Sequence, residues 1–167
     1  MPVIDTSLLV VGSGPAALVA AKVASGHGLS SLIAGHEVIV DSEPVTLSPD
    51  ALTVLRPHGV LEVLRPYATV QDPFTIAPLA FEQGLKHHCV ADMLVTVFDQ
   101  VSVLDLERLA GVGSRRGVLT DGRSSWELHA DGYLDAATLS GDLNALITGA
   151  AAYVGELMGA AGAERDG

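Results

Sequence analysis

The chain opens on a dense apolar run, Val3 to Val11 (VIDTSLLVV), β-branched and leucine-rich, which predicts a buried strand ending at glycine. Gly12-Ser13-Gly14-Pro15 follows without a gap, and Ala16 to Ser25 (AALVAAKVAS) then has helix-forming composition with a single charge. A helix apolar on nearly every side is one that packs deeply. Gly26-His27-Gly28 stops it, and Leu29 to Ala34 predicts a second strand, parallel to the first. Strand, glycine turn, helix and strand in this order make a βαβ crossover.

Beyond it the pattern loosens. Glu37 to Leu47 predicts an extended or irregular connection interrupted by Pro44. Ser48-Pro49-Asp50 is a helix start, with serine as N-cap, proline in the first turn and an acid beside it. That helix runs over Ala51 to Leu55 until Arg56-Pro57 ends it, and Val60 to Leu64 forms another short turn closed by Pro66. Pro73 to Pro78 is expected as loop. Leu79 to Cys89 predicts a helix with Leu79, Phe81, Leu85 and Cys89 inward.

From Met93 to Leu104 the β-branched run MLVTVFDQVSVL favours strand. Gly117–Thr120 and Arg123–Leu128 flank Asp121-Gly122, a hairpin signal because tight turns need residues that tolerate positive φ. Gly132 to Ala136 is expected as a further strand, and Asp142 to Met158 as a helix weakened by Gly149 and Gly155. The expectation is one α/β domain over 1–158, a Rossmann-like parallel sheet with a small antiparallel β-meander, and a flexible tail over 159–167.

Composition narrows the function. Aromatics are 4% against an apolar fraction of 49%, so the core is aliphatic. Charged residues are 17%, low for a freely soluble monomer and compatible with a protein partner covering part of the surface. A formal charge of −11 argues against nucleic acid, whose backbone needs clustered Lys and Arg. Arg115-Arg116 beside a glycine is expected as a solvated turn. The single cysteine, Cys89, excludes an internal disulfide framework and a cysteine zinc site, and fits a reducing, cytoplasmic compartment. The apolar runs are broken by Gly and Pro before the roughly 20 residues a bilayer demands, so no membrane partner is expected. His87-His88 are neighbours on a helix and do not share a face, so they make no metal site. Trp126 and Tyr133 are expected to pack as core or sheet-face residues, with a ring-covering role as the lesser alternative.

The glycine turn carries the chemistry. Gly12, Gly14 and Ala17 fit G-x-G-x-x-G/A. The first glycine allows the tight turn, the second lets a pyrophosphate approach the backbone, and the small third residue lets helix and strand pack closely. The free N–H groups of the first helical turn then face the phosphates. An acid at the end of the second strand is expected to hold the ribose hydroxyls. Gly35 stands there, followed by His36 and Glu37, so either Glu37 takes the role or the hook is lost.

VVGSGPAALVAAKVA resembles the FAD-binding opening of flavin monooxygenases and related FAD-dependent oxidoreductases, in which Pro15-Ala16 after the second glycine is typical. FEQGLKHHCVADMLVTVFDQVSVLD is similar to the helix and strand leading into their β-meander, and GVLTDGRSSWELHADGYLDAATLSGDLNALITGA to their hairpin and following strand. The resemblance is weakest between residues 40 and 78. It implies an FAD-binding fold, with Gly12, Ser13, Gly14, Pro15, Ala16 and Ala17 at the pyrophosphate. It also implies Val101 near the adenine through its backbone and Ala137-Thr138 near the cofactor. Gly141-Asp142 is the one candidate for the late Gly-Asp pair that holds the ribityl chain in that family, and it matches the family's earlier GDGD segment equally well. The function so implied is an FAD-dependent oxidoreductase, or its FAD-binding subunit completed by another chain. A non-catalytic relative without cofactor and an NAD(P)-binding module stand as alternatives.

Overall fold

The computed structural model describes residues 1–37, 43–109 and 114–166, with the last seven of these as backbone only. Strand β1 (Val3–Val11) leads through the glycine turn into helix α1 (Pro15–Gly26), and β2 (Ser31–Ala34) returns parallel to β1, pairing Leu8 with Ser31 and Val11 with Ala34. Every residue of α1 from Pro15 to Ala24 is buried, as its nearly uncharged sequence demands.

Short elements follow: β3 (Val45–Thr46), α2 (Pro49–Leu55), α3 (Val60–Leu64), β4 (Val70–Gln71), β5 (Phe74–Ile76) and α4 (Pro78–Val90). Ser48 caps α2 as its sequence requires, its Oγ accepting from the N–H of Ala51 at 3.2 Å. The stretch expected as loop over 73–78 instead contains β5, with Phe74 and Ile76 buried. It sits between β3 and β4 in a three-stranded antiparallel sheet, pairings too short to leave a period in the sequence. Residues 38–42 of the stretch expected as irregular lie outside the described residues.

The last elements are β6 (Val95–Phe98), β7 (Ser102–Arg108), β8 (Arg115–Thr120), β9 (Ser125–Asp135) and α5 (Leu143–Asp166). The six-stranded sheet runs β6-β2-β1-β9-β8-β7, parallel from β6 to β9 and antiparallel from β9 to β7. This is the expected parallel sheet with its antiparallel meander. Three details differ. The Met93–Leu104 run divides into β6 and β7. The hairpin loop spans residues 121–124, where Asp121 Oδ1 accepts from the N–H groups of Arg123 and Ser124 at 2.8 and 2.7 Å. Arg115 and Arg116 open β8 rather than forming a turn: the Arg115 guanidinium lies 5.2 Å from the Tyr133 ring centre and Arg116 faces Glu127 at 3.5 Å.

The two strands expected over 123–128 and 132–136 are one continuous strand, β9. Ala130-Asp131-Gly132 looks like a turn in isolation, yet β8 pairs with 125–130 and β1 with 127–135, so the ladder carries the chain straight through. Gly132 keeps room there for α5, since a Cβ would lie 3.1 Å from Leu157 Cδ1. Helix α5 continues past Met158 to Asp166 through Gly149, Gly155 and Gly159.

Two apolar clusters flank the sheet. Leu8, Val10 and Ile33 join α1, α4 and α5 in the larger one. Leu9, Leu32 and Ala34 alternate to the other face and pack with Leu119, Leu128 and Ala130 of the meander. Burial on both faces is what makes β1 and β2 continuous apolar runs. Among the described residues, no helix is long and apolar enough to cross a membrane.

Candidate functional site

Four parallel strands, β6, β2, β1 and β9, end on one edge of the sheet, the edge at which open α/β sheets bind ligands. The glycine turn lies there. Gly12 (φ +121°) and Gly14 (φ +96°) both hold backbone angles that L side chains rarely adopt. A Cβ on Gly12 would stand 3.2 Å from Ala136 Cβ, so the end of β9 presses directly on the turn. Gly14 is the N-cap of α1, with no side-chain cap and no acid in the first turn to offset the helix dipole. Pro15 occupies the first turn, and Ala16 and Ala17 are buried beneath it.

The segment after β2 folds back over this turn. The Gly14 N–H donates to the Glu37 carbonyl at 3.3 Å, and the Glu37 N–H donates to Ser13 Oγ at 3.3 Å. Glu37 is thereby fixed beside Ser13 and Gly14, with its residue exposed to solvent. His36 turns inward: its Nε2 lies 3.2 Å from the Gly14 carbonyl oxygen and 3.3 Å from Glu82 Oε1 of α4, with both side chains fully buried.

The remaining expected residues lie at the ends of β2 and β9. Gly35 (φ +71°) donates its N–H to the Phe98 carbonyl at 2.8 Å, and a Cβ on it would lie 3.2 Å from the Val101 carbonyl oxygen. Val101 is therefore at the β2 end. Ala137 and Thr138 form a 3₁₀ turn after β9, held by Asp135: the Ala137 N–H donates to Asp135 Oδ1 at 3.0 Å and the Thr138 hydroxyl to its carbonyl at 2.7 Å. In Gly141-Asp142, Asp142 Oδ1 accepts from the Ala145 N–H at 2.9 Å and caps α5.

Sequence reasoning missed Asp135 as a site residue. It ends β9 opposite Val11, the residue before the glycine turn. The missing signal was the β1–β9 pairing, which joins residues more than a hundred positions apart. His36 and Glu82 were missed for a similar reason, because nothing local announces that a helix 46 positions later supplies a carboxylate to the turn.

The turn fits the ADP half of a dinucleotide in its backbone angles and its uncompensated helix end, while the Gly14 N–H is already engaged by Glu37. Other candidates fall away. Cys89 is fully buried, and burial pushes its thiol up to about 12. Burial and Lys22 lower His88, and no group of three His, Cys, Asp or Glu able to hold a metal occurs among the described residues. Trp126 and Tyr133 pack against the second apolar cluster.

No family model matches the chain, and no curated protein matches it. Solved structures do. The flavin-dependent monooxygenase PieE, in complex with FAD and substrate, is 16% identical with a TM-score of 0.64 over 80% of this chain and 30% of its own. A flavoprotein/dehydrogenase from Cytophaga hutchinsonii is 17% identical with a TM-score of 0.61, over 80% of this chain and 39% of its own. The p-nitrophenol 4-monooxygenase PnpA from Pseudomonas putida is 16% identical with a TM-score of 0.56, over 80% and 40%. The chain has the fold these flavoproteins share, and it spans 30–40% of their length.

Proposed function

We propose that this chain binds FAD on its glycine turn and serves as a flavoprotein oxidoreductase, or as the FAD-binding subunit of one whose flavin site a protein partner completes. The observation that carries the reading is the convergence of four parallel strand ends on a turn whose glycines both require positive φ at the start of α1. The shared fold with flavin-dependent monooxygenases supports FAD over a nicotinamide dinucleotide.

In this reading Gly12, Ser13 and Gly14 offer main chain to the pyrophosphate, and Pro15 starts the helix that faces it. Ala16 and Ala17 keep α1 close to the sheet. Glu37 receives the ribose hydroxyls, Val101 offers its backbone to the adenine, and Asp135 with Ala137 and Thr138 lines the far side of the turn. Bound FAD supplies redox chemistry through its isoalloxazine ring, and the chain supplies position and electrostatics.

A specific observation favours a second reading, a relative that binds no cofactor. The Glu37 carbonyl already takes the Gly14 N–H, so the turn is closed by its own chain. A titration followed by flavin fluorescence, with FAD, ADP and NAD(P) compared, separates the readings. Saturable binding of FAD, competed by ADP, is the expected result. No binding of any of them supports the second reading and overturns the first.

A further inference from the structure

A cleft of about 640 Å³ opens between α2, α3 and the three-stranded sheet, and shares no lining residue with the glycine turn or the strand ends around it. Its volume is within the range of small-molecule sites, roughly 300–1,000 Å³. Leu47 and Phe74 line it from the sheet side, Leu52 and Leu61 from the helices. Such a wall takes an apolar body.

Two guanidinium groups border the same cleft. Arg65 is held by Glu62 at 3.0 Å. Arg56, in the turn joining α2 to α3, makes no ion pair and no side-chain hydrogen bond among the described residues. Lys22, Lys86 and Arg116 are each matched to a carboxylate, whereas the Arg56 fork stays open beside the cleft. A guanidinium presents a planar fork of donors suited to a carboxylate. Asp72, also at the cleft, stands beyond ion-pair distance of Arg56 and leaves its fork unspent.

We propose that this cleft is a second binding site, taking a small apolar carboxylic acid whose carboxylate meets Arg56 and whose body lies on Leu47, Leu52, Leu61 and Phe74. The site is independent of the nucleotide reading. The test uses 2-naphthoate and its neutral counterpart 2-naphthamide on the whole chain, followed by amide chemical shifts and calorimetry. Naphthoate is expected to bind saturably, with shifts confined to residues 46–74. The amide on the native chain, and naphthoate on Arg56→Met, are each expected to bind about tenfold more weakly or worse, the scale of one charge-assisted hydrogen bond. Arg56 is exposed and unpaired, so the variant keeps its fold, and an unchanged melting temperature checks this. Equal affinity for acid and amide, shifts centred elsewhere, or no saturable shift in the millimolar range overturns the proposal.

Discussion

The imidazole of His36 reaches the Gly14 carbonyl at 3.2 Å, so the second residue after β2 braces the glycine turn while the carbonyl of its neighbour Glu37 takes the Gly14 N–H. The same Nε2 faces Glu82 at 3.3 Å, and both side chains are wholly buried. Beside Glu37, the exposed acid after the second strand, this chain places a buried His36–Glu82 pair that fixes the turn to α4.

Removing the hydrogen-bond partner of a buried polar group, here the Gly14 carbonyl that His36 Nε2 meets, costs about 1–3 kcal/mol. His36→Leu is therefore expected to destabilise the fold on that scale in urea unfolding. His36→Gln keeps an N–H donor where Nε2 stands and is expected to cost much less. Equal losses for the two variants would show that packing, not the donor, matters.

Gly12 is restricted twice, by φ +121° and by Ala136 Cβ at 3.2 Å from any added Cβ. Gly12→Ala should cost on the order of 1–3 kcal/mol from backbone strain alone. Pairing it with Ala136→Gly removes the contact but not the strain, so only partial recovery is expected in the same unfolding assay.

Asp92 ties the end of α4 to α1: its Oδ2 accepts from Lys22 Nζ at 2.8 Å and from Ser25 Oγ at 2.6 Å. Burial pushes its carboxyl up, but the bonds from Lys22, Ser25 and the Leu94 N–H outweigh that and hold it down at about 2. A carboxylate lowered on folding stabilises the fold above its unfolded value of about 4, and loses that contribution as pH falls through the folded value. The contribution is on the order of 2 kcal/mol, and it is expected to vanish between about pH 4 and pH 2. Unfolding free energies across that window check it, and Asp92→Asn should flatten the slope.

Cys89 donates to the Leu18 carbonyl at 3.8 Å from inside the core, and its thiol is pushed up to about 12 by burial. A thiolate is the reactive form. The native protein is expected to resist an aromatic disulfide reagent at neutral pH and to react fully in denaturant. Fast labelling of the native state would contradict this placement.

The βαβ opening was legible because each of its signals is local: β1 apolar to its end, glycines at the turn, a nearly uncharged helix. So were Ser48 as a cap and Phe81, Leu85 and Cys89 as the inner side of α4, although Leu79, expected with them, is only half-buried. What was not legible depends on partners far along the chain. Asp131-Gly132 looks like a turn until β1 and β8 grip the strand from both sides. Phe74 and Ile76 look like loop until β3 and β4 flank them. At the candidate site, the positive-φ turn at Gly12 and Gly14 was legible, whereas the contacts of Asp135, His36 and Glu82 are ones that only the fold creates.

The glycine turn as a dinucleotide cradle is the claim on which the rest stands, and Gly14 is its most exacting position. Gly14→Val places a branched side chain at φ +96° where phosphate would approach. The decisive measurement is the FAD dissociation constant of the native chain beside that of Gly14→Val, with circular dichroism verifying that both are folded. The account predicts saturable binding by the native chain and its loss in the folded variant. Identical affinities, or no binding by the native chain, would contradict it.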